Sequence, residues 1–273
     1  TTDEDSAFTT GSVLTNDSDA NILDVLSVTN LDSAATTGLV TDNGDGTFSY
    51  DPNGQFESLA SGQSANDTFT YTATDGNASD TATVTILITG ANDAPIVAAQ
   101  NVAVDENASL NTLVATSAAT DIDAGDSVSW SIVGGNTNGT FAISSSTGEV
   151  TVASPSTLDF ETTPTYMLSV QARDAEGLTG SATVIVNVSD VNEAPTTTGL
   201  ADVFVNEDSA DVVIDLKTAF SDAETSSAAL SYSIIGNSNS ALFSGTPIRG
   251  GNLVLKFAPN ANGFAIVAVK VTD

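Results

Sequence analysis

The chain has 273 residues, 40% of them hydrophobic, and sets 35 acidic residues against five basic ones for a formal net charge of -30. Such a balance repels phosphate and anionic lipid, which excludes nucleic-acid and membrane-surface binding, and it leaves water, salt or divalent metal as the counter-charge. Histidine and cysteine are absent, which removes disulfides, thiolate metal sites, ordinary zinc chemistry, thiol nucleophiles and histidine-based triads.

In chain order, short runs of alternating, β-branched residues dominate: 68–73, 81–88 and 182–188 read as strands, separated by Gly, Asn, Asp and Ser clusters. No segment carries an amphipathic helix with caps; Ala219-Phe220 and Ala228-Ala229-Leu230 suit a single turn at most. No apolar run approaches the length of a membrane span, so membrane insertion is not expected. Trp130, Tyr71, Tyr166 and Tyr232 fall within strand patterns and are expected in cores, not on a sugar-stacking face.

Acidic residues recur in register. Asp75, Asp174 and Asp273 are spaced by 99 residues, Glu4, Glu106 and Glu207 by 102 and 101, and Asp17/Asp19, Asp121/Asp123 and Asp222/Glu224 follow in step. A period of about 100 residues is the size of an independent sandwich domain and too long for a solenoid unit. The expected fold is all-β, with three tandem Greek-key β-sandwich domains in an elongated array: residues 1–94, 95–194 and 195–273. The boundaries fall at Ala94-Pro95 and Ala194-Pro195, where proline makes each junction short and extended. Both ends read as cut from a longer array, since 95–102 has no counterpart before Thr1 and 181–188 none after Asp273.

Within the second repeat, Val104-Asp105-Glu106-Asn107, Thr120-Asp121-Ile122-Asp123, Leu158-Asp159-Phe160-Glu161, Ala172-Arg173-Asp174 and Asp190-Val191-Asn192-Glu193-Ala194-Pro195 occur in an order that closely resembles a cadherin repeat. The first repeat, with Thr1-Thr2-Asp3-Glu4-Asp5, Val13-Leu14-Thr15-Asn16-Asp17 and Asp45-Gly46-Thr47-Phe48, resembles the cadherin-like VCBS repeats of large secreted (RTX-type) bacterial adhesins. The third is similar to other bacterial cadherin-like repeats through Val205-Asn206-Glu207-Asp208, Ser221-Asp222-Ala223-Glu224 and Phe257-Ala258-Pro259-Asn260.

The resemblance implies Ca2+ between consecutive domains, held by oxygen ligands as this hard cation requires. Carried onto the second junction, it selects Glu106, Asp159 and Glu161 from the lower domain, Asp190, Asn192 and Glu193 from the linker, and Asp222, Glu224 and Asp273 from the upper domain, with Asn237 through its carbonyl. At the first junction it selects Glu4, Asn92, Asp93, Asp121, Asp123 and Asp174, with Asn136 as a carbonyl donor. That set is poorer, because Ala60, Gly62 and Gly90 stand where the second repeat has Asp159, Glu161 and Asp190. Asp5, Asp17 and Asp19 suit either this site or a junction with a preceding repeat.

The implied role is non-enzymatic: an extracellular, calcium-stiffened extender of a bacterial cell-surface adhesin, supporting adhesion and biofilm formation. Its partners would be calcium ions and adjacent repeats. The alternative is a binding module for polysaccharide or for another copy of the adhesin.

Overall fold

The computed structural model describes residues 1–21 and 23–273. Strands and short 3-10 turns make up its regular structure, and the chain divides into two compact units, 1–159 with 163–188, and 160–162 with 189–273.

The first unit opens with β1 (Thr2–Asp3), β2 (Phe8–Thr9), β3 (Ser27–Asp32), β4 (Leu39–Asp42), β5 (Phe48–Asp51), β6 (Ser64–Thr74) and β7 (Ser79–Thr89). These form two sheets, β1-β7-β6-β3 and β2-β5-β4, antiparallel except where β1 runs parallel to β7. Alternation explains the sandwich: Phe69 and Tyr71 on β6 and Ile86 and Ile88 on β7 share one face and meet Val40, Phe48 and Tyr50 from the other sheet. The Phe48 and Phe69 rings sit edge to face with centroids 4.8 Å apart.

The unit continues with β8 (Ile96–Val97), β9 (Gln100–Asp105), β10 (Leu113–Thr116), β11 (Ala119–Thr120), β12 (Ser129–Gly134), β13 (Phe141–Ile143), β14 (Glu149–Val152), β15 (Thr165–Arg173) and β16 (Thr179–Ser189). Their sheets, β12-β15-β16-β9 and β10-β14-β13, bury Trp130, Phe141, Val150, Val152, Leu168, Val170, Val184 and Val186. Trp130, Tyr71 and Tyr166 are therefore core residues, as their strand positions predict. The long β6-β7 and β15-β16 hairpins are the same device twice, and their turns carry Asp75 and Asp174.

The second unit contains β17 (Thr196–Thr197), β18 (Val212–Asp215), β19 (Phe220–Ser221), β20 (Ser231–Asn237), β21 (Phe243–Gly245), β22 (Ile248–Arg249), β23 (Asn252–Phe257) and β24 (Val267–Thr272). Its core is smaller, centred on Leu216, Leu253 and Leu255. Ala219 and Phe220 follow a single 3-10 turn, Leu216–Thr218, and residues 226–230 form hydrogen-bonded turns. A register shift interrupts β3-β6 after Val28, β12-β15 after Ile132 and β20-β24 after Ile234. In the frame of Asp174 and Asp273 the second and third shifts fall at the same place, opposite Val170 and Val269, whereas the first falls two residues closer to Asp75, opposite Ala73. Among the described residues no helix is long and apolar enough to cross a membrane.

Candidate metal centre

The parallel pairing of β1 on β7 places Asp3 opposite Thr89, so the next residue, Glu4, arrives where β7 runs out into the linker. Its backbone N–H donates to the Thr89 carbonyl at 3.2 Å, and its Oε1 accepts from the Ala91 N–H at 2.9 Å. Two residues on, the Asp93 N–H donates to Asp123 Oδ2 at 2.7 Å, and the Asp123 N–H in turn donates to Asp121 Oδ1 at 3.2 Å. Asn92 Nδ2 donates to Asp174 Oδ2 at 3.0 Å. Asp174 Oδ1 accepts from the Gly177 and Leu178 N–H groups and so closes the β15-β16 turn.

These bonds gather two carboxylate clusters in the first unit. Glu4, Asp93 and Asp123 offer oxygens that all lie within 4.8 Å of one another, and so do Asp121, Asp126 and Asp174. Glu4 is only 2% exposed and Asp123 3%. Nevertheless Glu4 Oε2, Asp93 Oδ2, Asp121 Oδ2, Asp123 Oδ1 and Asp126 Oδ2 are buried without a hydrogen-bond partner. Burial, and then the like charges of Glu57, Asp93 and Asp123, push the Glu4 carboxyl above its ordinary range despite the Ala91 bond. Burial, then Asp123, Asp5 and Asp121, does the same to Asp93. The ion pairs among the described residues, Lys217 to Asp215 and Lys256 to Asp211, are both in the second unit and touch neither cluster.

A buried carboxylate without this problem lies in the same unit. Asp67 is 4% exposed, and it accepts from the N–H groups of Thr37, Gly38 and Thr68 and from the Tyr50 hydroxyl at 2.8 Å. Burial would raise its pKa, but the bonds from Gly38, Thr37, Tyr50 and Thr68 outweigh that and leave it lowered. Asp67 is structural. Orphaned acid oxygens are a different condition, costly to bury unless something positive joins them.

The donor chemistry fits calcium. Every candidate ligand is a hard oxygen, and oxygens on opposite sides of a calcium ion, each at about 2.3–2.6 Å, stand roughly 5 Å apart, matching the span of each cluster.

Of the residues expected at the first junction, Glu4, Asn92, Asp93, Asp121, Asp123 and Asp174 are thus brought together. The Asn136 side chain bonds both backbone groups of Phe141, and its carbonyl, the proposed donor, accepts from Gly139. Asp126 is an addition. Its counterpart Asp24 joins Asp19 and Asp75 in a third cluster, beside the β6-β7 turn. The signal was in the sequence, since Asp24 and Asp126 are separated by the same 102 residues as Asp19 and Asp121. The structure therefore pairs Asp19, not Asp17, with Asp121; Asp17 instead accepts from the Tyr71 hydroxyl at 3.2 Å.

In the second unit, Glu161, Glu193 and Glu224 bring carboxylate oxygens within 4.8 Å of one another. Asp222 Oδ2 and both Glu224 oxygens are buried without a hydrogen-bond donor. Asn192 donates to Asp273 and to the Glu193 carbonyl, and Asn237 Oδ1 accepts from Asn239. Asp190 is exposed. In the first unit, Glu106 is buried, whereas Asp159 is exposed and offers its carbonyl to Thr163.

Residues 1–90 match the model of the bacterial cadherin-like domain, and residues 100–189 match that of the cadherin domain. Putative neural-cadherin 2 of Drosophila melanogaster is 41% identical over 93 residues, 34% of this chain and 5% of that protein. Human protocadherin Fat 1 is 34% identical over 139 residues, 49% of this chain and 3% of that protein. The chain thus spans a small fraction of these relatives. Among solved structures, mouse cadherin-23 EC22-24 matches with a TM-score of 0.56 and 24% identity, covering 89% of this chain and 78% of that one. This likeness is one of fold.

Proposed function

On the premise that this chain belongs to the cadherin family, as a bacterial cadherin-like domain followed by a cadherin domain, we propose that it is a calcium-rigidified extender segment of a bacterial cell-surface or secreted adhesin. Cadherin domains are a family of calcium-binding modules of adhesion and extension. The finer reading treats the chain as three repeats, 1–94, 95–194 and 195–273, with calcium at each joint. Glu4, Asp93 and Asp123, with Asp121, Asp126, Asp174 and Asn92, would hold it at the first. The resemblance assigns Glu106, Asp159, Glu161, Asp190, Asn192, Glu193, Asp222, Glu224 and Asp273 to the second.

One observation carries the proposal: buried carboxylate oxygens of the first unit converge unpartnered, with no ion pair to a lysine or arginine among the described residues. A purely solvating role for these acids would leave them exposed. Unfilled, the cluster repels itself and loosens the joint. A divalent cation converts that repulsion into a cross-link, and an ion that binds only the ordered joint stabilises it by about 2.7 kcal/mol at 100 times its Kd. Calcium then acts as a switch from flexible to stiff. The burial of Trp130, Tyr71 and Tyr166 supports the extender over a polysaccharide-binding module, because those rings are unavailable for stacking. Biofilm support, extracellular placement and an RTX-type parent belong to the same reading.

Small-angle scattering with calcium and then with chelator tests it. A maximum dimension that changes on chelation, with recovery on adding calcium back, is the expected outcome. Identical profiles in the two conditions would refute stiffening, and a saturable signal on a glycan array in calcium would favour the binding module.

A further inference from the structure

Ala60, Gly62 and Gly90 occupy the first-junction positions where the second repeat has Asp159, Glu161 and Asp190. The structure gives a reason for the missing acid at position 90. A Cβ on Gly90 would fall 2.0 Å from the Leu59 carbonyl oxygen and 2.4 Å from that of Ala60, so the linker backbone presses directly on the 59–60 turn. No side chain fits at 90, and the backbone occupies the space an acid there would need. The Gly90 N–H is tied to the Gln63 carbonyl at 3.0 Å, which holds the close approach.

The same approach brings a different carboxylate to the joint. Leu59 N–H donates to the Phe56 carbonyl, and Ser58 accepts from the Ala124 N–H at 3.4 Å, next to Asp123. Glu57 lies in this turn, half-buried, one residue before the Ser58 carbonyl that meets Ala124. Its charge is felt by Glu4, and it in turn feels Asp5 and Asp93. Glu4 Oε2 and Asp123 Oδ1 are the unpartnered, nine-tenths buried oxygens on which these charges converge.

We propose that Glu57 is a ligand of the divalent cation held by Glu4, Asp93 and Asp123, replacing from an adjacent turn the acids that positions 60 and 62 lack. This rests on the calcium reading of the first junction. It makes that junction a site rebuilt by different residues instead of a weakened copy of the second. A carboxylate is what the site needs, because three acids alone fall short of the six to eight oxygens calcium takes.

The test is calorimetric titration of calcium chloride into the metal-stripped chain, for the wild type, Glu57→Gln, Glu57→Asp, Glu4→Gln and Ser58→Ala, with thermal melts in chelator alongside. Glu57→Gln is expected to weaken one class of sites about tenfold, as Glu4→Gln does, while Glu57→Asp weakens it less and Ser58→Ala leaves it unchanged. In chelator, Glu57→Gln should melt at or above the wild type, since it removes a repelling charge. An unchanged isotherm for Glu57→Gln beside a weakened one for Glu4→Gln overturns the assignment of Glu57 alone. A Glu57→Gln protein that melts well below wild type in chelator also overturns it, by showing a structural role. If neither variant alters binding, the calcium reading of this junction falls with it.

Discussion

Replacing Glu4 by glutamine should change the sign of its effect with calcium. Glutamine keeps an oxygen to accept from Ala91, and puts an amide where the orphaned Oε2 faces Asp93 and Asp123. Charges 4.8 Å apart, the limit within which these oxygens lie, repel by about 3.5 kcal/mol at an effective dielectric of about 20. Two such partners would give roughly 7 kcal/mol between fully charged groups, which partial protonation, relaxation and counter-ions reduce to about 1–3 kcal/mol. In chelator the variant should therefore melt about 2–12 °C higher than the wild type, taking roughly 2–4 °C per kcal/mol for a unit of this size. In calcium the ligand is missed. At a concentration 100 times the wild-type Kd, a tenfold loss of affinity lowers the stabilisation by calcium from about 2.7 to about 1.4 kcal/mol. Differential scanning calorimetry in the two buffers reads both effects. Equal destabilisation with and without calcium would refute the argument, because it would make Glu4 a structural acceptor and nothing more.

Asp67→Ala strands the N–H groups of Thr37, Gly38 and Thr68 and the Tyr50 hydroxyl, and should cost about 3–5 kcal/mol in urea unfolding irrespective of calcium; a loss under 1 kcal/mol would contradict the structural role of this carboxylate. The two kinds of buried acid also predict opposite pH trends. Glu4, Glu57 and Asp93 titrate above their ordinary values, chiefly through burial and then through neighbouring acids. The folded state therefore holds more protons, and metal-free stability should be greatest below about pH 4.5 for these groups and fall as pH rises through their raised pKa values. Asp67 is lowered, so its contribution is present above about pH 4 and lost as pH falls through its folded value. Together they give metal-free protein a stability maximum in mildly acidic solution that calcium shifts upward, since its ligands must be deprotonated; a flat melting profile from pH 4 to 8 in chelator would sink this. Finally, Gly90→Ala should displace the linker and weaken calcium binding at the first junction about tenfold, whereas Gly11→Ala, whose Cβ meets nothing within 4 Å, should leave the titration unchanged.

The strand runs, the turns between them, the repeat of about 100 residues and the burial of Trp130, Tyr71 and Tyr166 were legible in the sequence, because alternation and turn chemistry act over a few neighbouring residues. So were Glu4, Asp93, Asp121, Asp123 and Asp174, since a repeating frame places equivalent acids at equivalent ends of the sandwich. Asp126 was legible through its spacing from Asp24, although its role depends on the loop after Asp123 turning it back toward Asp174. Glu57 was not legible. It lies off the motif positions, and only the pressing of Gly90 on the carbonyls of Leu59 and Ala60 brings its turn to the linker. Nor does sequence distinguish Asp67, saturated by four donors, from Glu4, left with a bare oxygen. Residue type and period are properties of the chain, whereas the partners of a buried oxygen are set by segments far apart in sequence that meet only when the sheets close.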